Sequence, residues 1–200
     1  MFRLILVAAI LTATGCATVP PHQQINFEGN IALESQNYQL AREKYKGALA
    51  EAEKSKDLQY SVIAMYGLAR ANGYLCNFKE AEEWFKKSIS LRENLPDSNT
   101  AYLSQNILEF ARLYVAQKKW KEATAQFERA IPLLESLDIE KRDPIGYANV
   151  LEDYKSSLQF SGNMKEAEKI KQKIEYLRSA YSSRRASFKT KPYPENCALN

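Results

Sequence analysis

The sequence predicts an all-α protein, a solenoid of about four stacked helix pairs. Three observations carry that expectation. A short pattern recurs four times, its anchor alanines spaced 40, 42 and 44 residues apart. Only 7 Gly and 7 Pro occur in 200 residues, too few for a loop-rich all-β design. Hydrophobic content of 45% and charged content of 26% are ordinary globular values, which excludes wholesale disorder. That length suits one domain or one short repeat array.

The chain opens Met1-Phe2-Arg3 and runs apolar from Leu4 to Ala13. Ten such residues make about 15 Å of helix, where a bilayer span needs about 20 residues. A short basic start and a short apolar run match a secretory signal. The run ends Thr12-Ala13-Thr14-Gly15-Cys16, which resembles the lipobox of bacterial lipoproteins. That resemblance implies a signal peptide over 1–15, cleaved before a lipidated Cys16. It also implies acyl (palmitate-type) anchoring to a membrane, which is stable when several chains are attached. Ala17, where Asp tends to retain lipoproteins at the inner membrane, implies the outer membrane, facing the periplasm. Residues 16–24 read as a tether, with the lone His22 inside it.

The repeats follow over residues 25–181. They read Asn37-Tyr38-Gln39-Leu40-Ala41 with Tyr45 and Ala48, Asn77-Phe78-Lys79-Glu80-Ala81 with Phe85 and Ser88, Lys119-Trp120-Lys121-Glu122-Ala123 with Phe127 and Ala130, and Asn163-Met164-Lys165-Glu166-Ala167 with Lys171 and Ile174. Twelve residues before each anchor alanine stands Gly29, Ala69, Ala111 or Lys155, and five before it Gln36, Cys76, Lys118 or Gly162 at the turn. This order resembles the tetratricopeptide repeat, and the long period resembles its extended kinesin-light-chain form. The resemblance implies a right-handed α-solenoid closed by a C-terminal capping helix. The fourth repeat suits the capping role, with Lys155 and Lys171 where small and aromatic residues belong. Asn77 with Glu80 and Asn163 with Glu166 read as capping boxes, and Asp143 before Pro144 as an N-cap. Polar loops fill the inter-repeat positions at Pro96-Asp97-Ser98-Asn99 and Arg142-Asp143-Pro144. Trp84 and Trp120 read as core.

The sequence offers little chemistry. It holds no Gly-rich phosphate loop, HExxH, GxSxG or CxxC. One His and three Cys leave no basis for a His-based metal or acid–base site. No enzyme, metal, cofactor or small-molecule substrate is expected. A disulfide between Cys76 and Cys197 is open in an oxidising periplasm. Tying a floppy tail to a repeat turn makes it the less favoured reading.

The expected function is therefore binding. In the tetratricopeptide family the first helix of each pair faces a concave groove. Carried over residue by residue, the resemblance assigns Asn26, Asn30 and Glu34 in repeat one, and Tyr66, Arg70 and Tyr74 in repeat two. It assigns Gln105, Leu108 and Arg112 in repeat three, and Asn149, Glu152, Ser156 and Gln159 in repeat four. Asn30, Arg70, Arg112 and Ser156 occupy equivalent positions. Arg70 and Arg112 could fork onto carboxylates of an extended or helical acidic protein segment. Alternatively they pair with neighbouring Glu on ordinary solvated surface. The expected role is a lipid-anchored scaffold or adaptor in cell-envelope assembly, resembling pilot lipoproteins. The alternative is an adaptor for cell-wall (peptidoglycan) enzymes.

Charge adds one exclusion. Of the net +4, Arg3 carries one and residues 182–200 carry three, leaving 16–181 neutral. A neutral body gives no electrostatic footprint for nucleic acid. The tail, with Arg184, Arg185, Lys189, Lys191 and two prolines, reads as disordered, serving to solubilise the array or touch an anionic lipid.

Overall fold

The computed structural model describes residues 19–96, 99–187, 191–195 and 197. The signal segment and Cys16 lie outside the described residues. Helices α1 (Pro21–Glu34), α2 (Tyr38–Lys54), α3 (Leu58–Tyr74), α4 (Phe78–Glu93), α5 (Thr100–Ala116), α6 (Trp120–Ser136), α7 (Ile139–Arg142), α8 (Pro144–Phe160) and α9 (Met164–Ala180) follow in order. Four antiparallel pairs, α1–α2, α3–α4, α5–α6 and α8–α9, stack into a solenoid. The single-turn helix α7 fills the last inter-pair connection. No helix among the described residues is long and apolar enough to cross a membrane.

Each pair closes through the same three-residue turn. The first helix ends in a Schellman motif, as where Asn37 N–H donates to Ala32 C=O at 2.9 Å and Gln36 N–H to Leu33 C=O at 3.1 Å. The turn needs a left-handed residue, supplied by Gln36, Cys76, Lys118 and Gly162 at φ of 63°, 64°, 58° and 89°. These are the four positions that stand five before the anchor alanines. Asn163 caps α9 by accepting from Glu166 N–H, and Asp143 caps α8 by accepting from Gly146 N–H. Asn77 does not cap α4. Its side-chain amide donates instead to Asn72 Oδ1, 3.2 Å away.

The core follows the repeat. Ala41, Ala81 and Ala123 are 0% exposed and Ala167 is 2% exposed, so paired helices approach closely at each anchor. The aromatics four residues on bridge to the next pair. Tyr45 lies between Gly29 of α1 and Gly67 of α3; a Cβ at either glycine would come within 3 Å of its ring. Tyr45 Oη donates to Asn30 Oδ1 at 2.8 Å. Phe85 stacks on Phe110 of α5 and Phe127 meets Tyr154 of α8. The fourth pair has no successor, and there Lys171 points to solvent. Stacking neighbours thus bury what no single pair can.

Two boundaries differ from expectation. Residues 21–24 belong to α1, not to a tether, because Pro21 occupies the first helical position, where its missing N–H costs nothing. His22 is accordingly buried, edge-on to Tyr60, with Nε2 3.2 Å from Asp57 Oδ2. The tail is the second difference. Arg184, Ser187, Lys191, Tyr193 and Cys197 contact the array, and Tyr193 is 3% exposed within the main core.

Candidate functional site: the concave groove

The inner faces of α1, α3, α5 and α8 line a groove of about 1620 Å³. Of the residues assigned to the concave face, Asn30, Glu34, Tyr66, Arg70, Tyr74, Gln105, Leu108, Arg112 and Asn149 line it. Asn26 does not; it lies within α1 and its side chain is buried. Glu152 and Ser156 are not brought to the groove either. Glu152 pairs with Lys155 on its own helix and with Arg178 of α9. Ser156 Oγ donates to the Glu152 backbone carbonyl. Gln159 is exposed away from the groove. In this last pair Asn149 and Asp153, one turn apart, form the wall.

The two arginines are already partnered. Arg112 donates to Glu109 Oε1 at 2.9 Å and to Asp153 Oδ2 at 3.3 Å. Arg70 Nε lies 3.8 Å from Glu109 Oε2. The anion these guanidiniums hold is therefore in the wall. An acidic segment would compete with Glu109 and Asp153 instead of meeting free cations. Glu109 is the hub of this cluster, and the reading of the sequence missed it. Its signal was the three-residue spacing to Arg112, which puts both on one helix face.

Burial sets the electrostatics. Tyr66, Tyr74 and Tyr193 all have phenol pKa values raised, first by desolvation and then by the charge of Glu109. Burial works against the charge on Arg70 and Arg112, but Tyr66, Glu109 and neighbouring phenols around Arg70, and Glu109 and Asp153 around Arg112, hold both pKa values above the ordinary guanidinium value. Burial raises the Asp153 carboxyl even though Arg112 pulls it down. The Tyr66 hydroxyl and Arg70 Nε are buried without a hydrogen-bond partner. Among the described residues, no three His, Cys, Asp or Glu side chains are grouped to hold a metal ion.

Described residues of the chain's own tail already line this groove, at 184–187 and Lys191. Leaving α9, Arg184 donates to the carbonyls of Lys141 and Arg142 at 2.7 Å each, at the end of α7. Ser187 N–H donates to the Asp143 carboxylate. Further on, Tyr74 Oη donates to the Lys191 carbonyl at 2.9 Å. Lys191 Nζ reaches Tyr38 Oη at 2.5 Å and lies over the rings of Tyr38 and Tyr74, which stack at 4.6 Å. Tyr193 fills a slot against Tyr74 and Gly73, where a Cβ would stand 2.6 Å from its ring, and its hydroxyl donates to Glu109 Oε2 at 3.0 Å. Cys197 is joined to Cys76 by a disulfide with Cα atoms 5.6 Å apart. The less favoured reading of the cysteines is thus the one the structure takes. The left-handed turn at Cys76 carries its sulfur to where the tail reaches with Cys197.

The tetratricopeptide repeat model matches residues 25–94 and 74–136. No curated protein gives a match. Among solved structures, the chain is similar to BtubC (BKLC) from P. vanneervenii, at 16% identity and a TM-score of 0.73, covering 90% of this chain and 70% of that one. It is also similar to a putative kinesin light chain with nearly identical TPR-like repeats from Podosopora anserina, at 16% identity and a TM-score of 0.63, covering 82% and 77%. At such identities the likeness shows the fold alone.

Proposed function

The chain belongs to the tetratricopeptide-repeat family, and from that premise we propose that it is a non-catalytic, lipid-anchored scaffold whose concave groove captures an extended segment of a protein partner in cell-envelope assembly. The fold itself suggests a protein-interaction scaffold. The observation that carries the groove reading is the tail. A stretch of irregular chain is seated there by side chains in slots and by a main-chain hydrogen bond, as a bound peptide would be.

The anchor reading rests on Cys16 and the apolar run before it. The disulfide supports export, because such bonds persist in oxidising compartments such as the periplasm. The described body begins within a few residues of Cys16. At about 3.3–3.6 Å per residue, an anchored chain would hold the array close to the bilayer.

The test is site-specific photocrosslinking in intact cells. A photoactivatable residue at Gln105, in the groove, is expected to capture an envelope-assembly subunit, and one at Lys87, on the exposed side of α4, is expected not to. Capture of a cell-wall hydrolase at Gln105 would replace the partner class. Capture only at Lys87 would defeat the groove reading. In the same cells Cys16→Ala should move the protein out of the membrane fraction; retention there would defeat the anchor.

A further inference from the structure

The tail shows which chemistry the groove accepts. In an extended strand, residues i and i+2 point to the same side. Lys191 and Tyr193 do so here, and the intervening Pro192 is exposed. Each has a dedicated receptor. The Lys191 ammonium lies over two stacked tyrosine rings and takes Tyr38 Oη as acceptor. Such a cation gains from both ring faces. The Tyr193 ring enters a slot that exists because residue 73 is glycine. At the bottom of that slot Glu109, fixed by Arg112, accepts the phenol hydrogen. A site built to bond a hydroxyl discriminates sharply against the analogue that lacks it.

The tail is also held at both ends. It leaves α9 at Ala180 and is tied to α3–α4 at Cys76. A segment fixed this way cannot diffuse out of its seat, so it blocks a competitor for the Lys191 and Tyr193 seats while the rest of the groove stays open.

We propose, building on the groove reading above, that the groove is a receptor for extended Lys-x-Tyr segments, that the chain's own tail is its resident occupant, and that reduction of the Cys76–Cys197 disulfide by a dithiol reductant opens it to a Lys-x-Tyr segment of a partner protein. In the exchange, a reductant thiolate attacks one protein sulfur and releases the other as thiolate. The reductant's second thiol then displaces the mixed disulfide. Two electrons and two protons pass to the protein, leaving two cysteine thiols and an oxidised dithiol. The freed tail stays tethered at Ala180 and still competes, at an effective concentration on the order of millimolar. Reduction therefore grades access, and the partner's affinity completes the displacement.

The test is fluorescence anisotropy with a labelled peptide of sequence Ser187–Glu195. The full chain carrying Tyr193→Ala and Cys197→Ser, with circular dichroism as the folding check, has an unfilled slot and should bind the peptide. Tyr193→Phe in the peptide should weaken binding about tenfold, from loss of a hydrogen bond to a charged acceptor. Oxidised wild type should bind at least about a hundredfold more weakly than the variant, and dithiothreitol-treated wild type should fall between. Equal binding by oxidised and reduced wild type would overturn the gate, and the wild-type arms stand even if the variant does not fold. Equal affinity for the Tyr and Phe peptides would overturn the receptor. If Gln105 still captures a partner in cells while either result fails, the groove reading survives without this inference. If the peptide behaves as expected but only Lys87 captures, the groove reading fails alone.

Discussion

Glu109 is only 8% exposed, yet it holds the Arg112 guanidinium at 2.9 Å, the Arg70 Nε at 3.8 Å and the Tyr193 hydroxyl at 3.0 Å. Removing one partner of such a buried pair typically costs about 3–5 kcal/mol, because the other charge is left uncompensated. The phenols around it report on the same burial. Tyr193 has its pKa raised well above 10.0, first by desolvation and next by the Glu109 charge. The fold therefore prefers the neutral phenol. The stability this gives is fully present below the unfolded tyrosine pKa and is lost as pH rises through the folded value. A difference titration at 295 nm between wild type and Tyr193→Phe should stay flat near pH 10 and rise only where the tail detaches. A full one-tyrosine step near pH 10, with the tail still seated, would contradict the burial. At this scale Arg70 and Arg112 were legible as inward-facing, since the repeat register places them. Their partners were not. Glu109 and Asp153 occupy a position that is Gly67 in the second pair, so nothing periodic marks them.

At the scale of the element, the four turns within helix pairs are one device written four ways, and Lys56 repeats it between α2 and α3. Three of these four within-pair turns carry Gln36, Cys76 or Lys118 at the left-handed position, whose Cβ disfavours that conformation by roughly 1–2 kcal/mol. Only the fourth carries glycine, Gly162. Lys118→Gly should therefore stabilise the array by about 0.5–1 kcal/mol, the rest being offset by the greater freedom of glycine in the unfolded chain. Thermal melting should show a rise of about 2–4 °C. A fall would mean that Lys118 contributes more through its side chain than its backbone loses. Helix pairing was readable in the sequence because the anchor alanines and bridging aromatics repeat. The helix ends were less so. Pro20-Pro21 reads equally as tether or helix start, and burial of His22 against Tyr60 decides for the helix. Asn77 looks like a cap in sequence, but Asn72, five residues back, competes for its side chain.

Across the whole molecule, the tail closes the array on itself. Composition alone predicts disorder there, because residues 182–200 are basic and poor in apolar side chains. One lysine, one tyrosine and one cysteine reverse that, through contacts that span 153, 84 and 121 residues of sequence. Such pairings have no period and leave no local signal. Closing so long a loop removes unfolded-state entropy worth about 5 kcal/mol in the chain-entropy model. The bond therefore both stabilises the fold and keeps the Tyr193 slot filled. Peptide mapping of the full chain under non-reducing conditions tests the seated tail most directly. The expected result is one linked pair of peptides, containing Cys76 and Cys197, that separates on adding a dithiol. Two free thiols, or a Cys197 crosslinked only to a second copy, would contradict a groove occupied by its own tail.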